Sequence, residues 1–263
     1  MKVAIVCPIE FGDHGHVGGG ERYALELARA LAALVDTRLV TFGRRRRTSR
    51  KGRLRVEIYP RGRLVRGRLN NPLNPLFLGA LRDVDVIHCI GWHTLPTDLA
   101  VLFGRLTGKR VFVSDVGGGA DVSLARIFPI GTLVHRFLFL SRYAASLYPQ
   151  FAERSAVIYG GADLARFTPA EVPRERQVLF VGRIIQAKGI EHLIDAVDPN
   201  VPLVIIGRPY DAGYLAELRR RSDGRMVRFV ADATDADVVD AYRRSLVTVL
   251  PSVGRPGAAN PAN

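Results

Sequence analysis

Arg183 and Lys188 are the side chains best placed for chemistry, because both follow an apolar run across one turn in Val178-Leu179-Phe180-Val181-Gly182-Arg183-Ile184-Ile185-Gln186-Ala187-Lys188-Gly189. Arginine offers a planar fork that matches phosphate geometry, and lysine a compact point charge. Residues 178–181 are β-branched and aromatic, which predicts a buried strand, and Gly182 lets the chain turn out of the sheet. A helix is expected from about Lys188, with a first turn whose free N–H groups favour anions. A diphosphate fits such a cradle. Spacing alone equally allows a strand-to-helix turn whose two cations simply sit in water.

The elements that must position these residues come in two series. Val3 to Cys7 reads as a strand and Pro8 to Gly20 as a loop carrying Gly12, Gly15, Gly18, Gly19 and Gly20. Apolar residues at helical spacing predict a helix over Glu21 to Leu34, and Arg38 to Phe42 is a second strand. This opening is that of a doubly wound α/β domain. It is not a dinucleotide fingerprint, because the loop is long and its glycines are consecutive. Such glycines still permit close backbone approach to a ligand, and a plain flexible loop is the equal alternative.

Arg55 to Tyr59 suggests a short strand, Asn71 to Arg82 contains a helix after Pro72 or Pro75, and Asp85 to Ile90 is a buried strand with His88, Trp92 and His93 at its carboxyl end. Open α/β sheets bind ligands at that end, which makes His93 a candidate, although a lone histidine there is more often structural. Thr97 to Thr107 reads as a helix and Arg110 to Ser114 as a strand, followed by a second glycine loop, Asp115 to Asp121. Leu138 to Leu140, a helix over Arg142 to Tyr148, and Ala156 to Tyr159 complete the first domain, residues 1–165. A polar, proline-bearing linker spans 166–176. The second series, 177–253, alternates strands Val178 to Val181, Leu203 to Ile206, Val227 to Val230 and Leu246 to Leu250 with helices Ile190 to Val197, Gly213 to Arg221 and Asp235 to Arg243. Residues 254–263, rich in Gly, Ala, Pro and Asn, read as an irregular tail. The fold class is α/β, with two Rossmann-like doubly wound domains facing a cleft and the second incomplete.

Composition narrows the function. The net charge of +13 is carried by 34 arginines against 4 lysines, and the basic residues concentrate between Arg44 and Arg68, where Glu57 is the sole acid. Arg44, Arg45, Arg46 and Arg47 head this stretch. It can meet an acceptor or an anionic membrane surface, where each basic residue contributes roughly 1 kcal/mol, or it can be a solvated loop. Nucleic acid is disfavoured, since no stacking aromatic pattern accompanies the charge. No apolar run reaches the roughly 18 residues of a spanning helix, and the N-terminus lacks a signal-peptide pattern. A cytoplasmic location is expected, with peripheral association at the inner face of the membrane. Cys7 and Cys89 are isolated in predicted strands and read as core thiols. No metal-ligand cluster is visible.

Taken together, Gly18-Gly19-Gly20-Glu21, Ser141-Arg142-Tyr143, Val157-Ile158-Tyr159-Gly160-Gly161-Ala162-Asp163 with Phe167-Thr168-Pro169, Val181-Gly182-Arg183 with Lys188-Gly189, and Leu250-Pro251-Ser252 resemble a GT-B nucleotide-sugar glycosyltransferase of the retaining, family 4 and group 1 type. The resemblance covers about residues 1–253. It implies transfer of a sugar from a nucleotide-sugar donor to an acceptor, a glycan, lipid or small molecule, without a bound metal or other cofactor. Gly19 and Gly20 would approach the donor phosphate, Gly182, Arg183 and Lys188 would hold the diphosphate, and the two cations would stabilise the leaving group.

Three features depart from the family pattern. Asp115 stands where the family commonly has a histidine, and by the resemblance it would be the substitute catalytic contact to the sugar. Leu203 to Ile206 is followed by Gly207-Arg208-Pro209 instead of two glycines separated by one residue. The family's paired glutamates, which contact donor sugar and ribose, are absent after Ser252, so the chain reads as truncated, with little activity of its own. The alternative is a non-catalytic nucleotide-sugar or anionic-surface binding protein of the same fold.

Overall fold

The computed structural model describes residues 1–10, 19–67, 71–116 and 122–253. The chain divides into two units, Met1–Gly160 and a second beginning at Gly161. In the first, β1 (Lys2–Glu10), α1 (Gly19–Leu34), β2 (Asp36–Gly43), β3 (Arg47–Lys51) and β4 (Leu54–Pro60) are followed by a two-residue ladder of β5 (Arg63–Leu64) and β6 (Pro72–Leu73). Then come β7 (Val86–Ile90), α2 (Leu95–Leu106), β8 (Arg110–Asp115), β9 (Arg136–Phe139), α3 (Arg142–Ser146) and β10 (Ser155–Val157). The main sheet has the order β10-β9-β8-β7-β1-β2-β4-β3. All its strands pair in parallel except β3, which is antiparallel to β4.

The reason is visible within β1 itself. Val3, Ile5 and Cys7 pack against Ala24, Leu25, Ala28 and Ala32 of α1. Ala4 and Val6 join the opposite face, with Phe42 and with Ala100 and Val101 of α2. A strand covered on both faces must be apolar at every position, which is why β1 lacks the alternation of a half-exposed strand. Connections run to β2 on one side of β1 and to β7 on the other, so the switch point lies at the carboxyl ends of β1 and β7. Cys7 and Cys89 are buried thiols, as expected of core cysteines.

Two segments take a more specific form than the sequence predicts. The arginine-rich stretch is not irregular throughout: Lys51 pairs with Leu54 across Gly52 and Arg53, and Gly52, at φ 61, supplies the left-handed turn that folds β3 onto β4. Pro75–Leu81 is the helix expected within Asn71 to Arg82, of 3₁₀ type and capped by the Asn74 side chain accepting from the Leu76 N–H. Pro72 is held in the β5–β6 ladder, so the helix begins only at Pro75.

The second unit contains β11 (Glu175–Val181), α4 (Ile190–Ala196), β12 (Leu203–Ile206), α5 (Ala212–Arg221), β13 (Val227–Val230), α6 (Asp235–Arg244) and β14 (Ser245–Thr248). Its sheet, in the order β13-β12-β11-β14, is wholly parallel. Phe180, Leu203 and Ile205 face Ile190, Leu193 and Ile194 of α4 and Tyr214 and Leu218 of α5. Leu179, Val204 and Ile206 face Val238 and Ala241 of α6. Both units are therefore doubly wound α/β layers. The edge strand β14 leaves Leu246 and Val247 about half exposed, at 54% and 49%.

Candidate functional site

In the second unit, connections diverge between β11 and β14, so the segments leaving their carboxyl ends flank the switch point. The ladder outlasts the two central strands: the Gly182 N–H donates to the Ile206 carbonyl at 2.9 Å, and the Ile184 N–H to the Arg208 carbonyl at 3.0 Å. Ile184 is buried and anchors this exit, while Arg183 beside it is exposed. Gln186–Lys188 then forms a 3₁₀ turn, and Gly189, at φ 62, caps it and opens α4.

The segment behind β14 packs onto this turn. A β-carbon on Gly189 would stand 2.3 Å from the Pro251 carbonyl oxygen, so backbone meets backbone there. The Val253 N–H donates to the Ala187 carbonyl at 3.3 Å, and Lys188 Nζ donates to Ser252 Oγ at 3.4 Å. Leu250-Pro251-Ser252 thus serves as the platform that positions Lys188. Gly182 has a packing role, because its carbonyl abuts Gly207 and a side chain on it would meet the Phe180 ring at 3.0 Å. Arg183 and Lys188 leave the same strand on either side of an anchored isoleucine, an arrangement able to grip an anion.

The first unit carries the other predicted residues. Asp115 ends β8 and is buried at 8% exposure. It lies beside the phenol of Tyr148, which burial and then the Asp115 charge push well above the usual tyrosine range. His93 adopts φ 56, a left-handed conformation rare for a non-glycine residue. Its ring stacks on Tyr148 at 6.3 Å and tilts against Trp92 at 5.0 Å. Both His93 ring nitrogens are buried and find no hydrogen-bond partner among the described residues. Burial, with the nearby Arg126 charge, lowers its pKa to about 4 and keeps the ring neutral.

His88 and Trp92 are structural. His88 Nε2 bonds Ser114 Oγ at 2.8 Å, and burial holds its pKa at about 4. Trp92 packs edge-on against Phe137 at 5.1 Å. Gly19 and Gly20 form the first residues of α1, not a loop, because the helix starts two positions ahead of Glu21. Gly12, Gly15, Gly18 and the glycine run 117–119 lie outside the described residues.

Tyr148 and Asp98 carried no local sequence signal. Asp98 is fully buried in the first turn of α2, accepting from Ser123 Oγ at 2.9 Å and from the Leu124 N–H at 2.6 Å. Burial pushes its pKa up to about 6, partly offset by those bonds. An acidic residue in an amphipathic helix reads as solvated, and only the partner 25 residues away shows otherwise.

Arg44, Arg45 and Arg46 are exposed ahead of β3, and Arg47 begins it. Every residue of β3 is exposed, and the Arg46 guanidinium lies 4.9 Å from the centre of the Tyr59 ring. The main sheet therefore ends in a basic edge strand. Among the described residues, no helix is long and apolar enough to cross a membrane.

Comparison with known proteins gives the family. The chain fits the model for Glycosyltransferase Family 4 over residues 17–166 and that for Glycosyl transferases group 1 over residues 162–255. It belongs to the family 4 glycosyltransferases and has their GT-B fold. It is similar to the GDP-mannose:cellobiosyl-diphosphopolyprenol alpha-mannosyltransferase of Xanthomonas oryzae pv. oryzae, with 30% identity over 75% of this chain and 58% of the relative. The D-inositol 3-phosphate glycosyltransferase of Jonesia denitrificans is 27% identical over 95% of this chain and 74% of its own. Among solved structures, Anabaena Alr3699/HepE in complex with UDP superposes with a TM-score of 0.67 at 18% identity, covering 94% of this chain and 73% of that one. The chain spans 58% of the length of the Xanthomonas relative.

Proposed function

We propose that this chain carries the diphosphate-binding machinery of a glycosyltransferase that moves a sugar from a nucleotide-sugar donor to an acceptor with retention of configuration. The observation that supports this reading most directly is the positioning of Lys188 by Ser252 beside the anchored Arg183 turn. As the bond between the sugar's anomeric carbon and the diphosphate breaks, its electron pair passes to the leaving oxygen. Arg183 and Lys188 meet the charge that develops there, and cations already held in place stabilise it with little reorganisation. In this mechanism the two side chains take the part that a divalent metal plays elsewhere, and no cofactor is needed. Asp115 contacts the transferred sugar.

The first unit takes the acceptor. Its basic edge at Arg44, Arg45, Arg46 and Arg47 suits an anionic membrane surface and supports a peripheral location at the cytoplasmic face. The lipid-linked acceptor in the Xanthomonas relative's name is in keeping with such a location. Saturation-transfer NMR with UDP-, GDP- and ADP-sugars tests the proposal. One nucleotide series should receive saturation, and the signal should vanish in an Arg183→Ala/Lys188→Ala double variant. Absence of saturation with all three overturns it.

A further inference from the structure

Arg208 lies in Gly207-Arg208-Pro209, where Pro209 departs from the family's glycine pattern, and its surroundings bear on the site just described. β11 and β12 pair from Val178 with Leu203 to Val181 with Ile206, and the bridge between Ile184 and Pro209 keeps the same register. Arg183 is therefore the in-register neighbour of Arg208. Neighbours in a parallel ladder share a face, with their backbones about 5 Å apart. Both side chains are exposed.

Two like charges set side by side repel, and a sheet normally relieves such a pair with an acid. Among the described residues no carboxylate pairs with either guanidinium. Nearby acids are engaged elsewhere: Asp211 caps α5 by accepting from the Tyr214 N–H at 3.0 Å, and Glu191 accepts from the Tyr214 hydroxyl. Other arginines of this unit do have acids, Arg221 with Asp195 at 2.6 Å and Arg244 with Asp240 at 2.9 Å. Nor can the two backbone segments that carry them separate. Gly207 sits against the Gly182 carbonyl with no room for a β-carbon, and the Ile184 N–H is tied to the Arg208 carbonyl.

We infer that Arg208 is a further diphosphate-binding residue, forming with Arg183 a guanidinium pair that takes a dianionic phosphate group. The inference rests on the donor reading above and deepens it. Each guanidinium can give two parallel N–H bonds to phosphate oxygens, and the bound dianion cancels the repulsion between them. A terminal phosphate gains its second negative charge only when the sugar leaves. The pair therefore favours the free nucleoside diphosphate over the intact donor.

Calorimetry on the full 263-residue chain, titrating UDP, GDP, ADP and inorganic pyrophosphate, tests this in wild type, Arg208→Ala, Arg208→Lys and Arg183→Ala. The backbone carbonyl of Arg208, not its side chain, holds Ile184, so the variants should fold, as circular dichroism will show. Arg208→Ala should weaken the preferred nucleoside diphosphate by about tenfold or more, with Arg208→Lys recovering only part, because a point charge cannot form the fork. Unchanged affinity in Arg208→Ala, with Arg183→Ala weakened, overturns the inference and leaves the donor reading standing. Pyrophosphate binding that depends on Arg208, without binding of any nucleotide, supports the pair and overturns the donor reading. Failure of wild type to bind any of the four ligands overturns both.

Discussion

A β-carbon on Gly207 would stand 1.7 Å from the carbonyl oxygen of Gly182, so the exits of β12 and β11 touch backbone to backbone. No side-chain movement can relieve that contact. Gly207→Ala should therefore destabilise the second unit by about 2–3 kcal/mol, the upper range for overpacking. Gly160→Ala meets nothing within 4 Å and should change stability by less than about 0.5 kcal/mol. Urea denaturation followed by circular dichroism compares the two. Equal midpoints would show that the strand exits are looser than this packing implies.

Arg183→Ala and Lys188→Ala should each weaken nucleoside-diphosphate binding by roughly 1–3 kcal/mol, through loss of charge-assisted hydrogen bonds. Ser252→Ala should cost less, since Ser252 Oγ only positions Lys188, at 3.4 Å. Isothermal titration on the three variants gives the ranking. A larger loss for Ser252→Ala than for Lys188→Ala would mean that the hydroxyl itself contacts the ligand.

Replacing Arg44, Arg45, Arg46 and Arg47 with serine should reduce sedimentation with anionic vesicles and leave nucleotide binding untouched, because these residues head an exposed edge strand of the first unit. Wild-type binding should also weaken as salt rises and the Debye length shortens. Vesicles run at two salt concentrations check both. Identical sedimentation of variant and wild type would reduce β3 to a solvated edge.

Acid should destabilise the first unit. His88 and His93 have folded pKa values of about 4 against an ordinary 6.5, so the stability they contribute is present above pH 6.5 and lost as pH falls through that value toward 4. Asp98 acts in the opposite sense: its folded value of about 6 exceeds the ordinary 3.8, so its contribution is present below 3.8 and lost as pH rises through 6. The histidines therefore act alone at first, and Asp98 softens the decline further down. The thermal midpoint should be flat from pH 8 to 7 and drop from about pH 6.5, and His88→Gln should make that drop shallower. A midpoint that rises on acidification would contradict the assignment of neutral, buried imidazoles.

Much of the architecture could be read along the chain. Val178 to Val181 and Leu203 to Ile206 are continuous apolar runs, and a strand covered on both faces has to be one. Glu21 to Leu34 shows the helical period because one side of α1 lies on the sheet. Arg183 and Lys188 stand out by type and spacing at the exit of a buried strand, and the structure sets them after β11 on either side of the buried Ile184. What the sequence could not show was contact between distant positions. Arg208 stands beside Arg183, Tyr148 lies under His93, and Gly207 presses on Gly182, each through register or packing across many intervening residues. Local residue types determine the period of each element and the conformation of each turn. Which side chains come to share one face is decided only when the strands align, because that alignment depends on how the helices on both sides fill the space against the whole sheet.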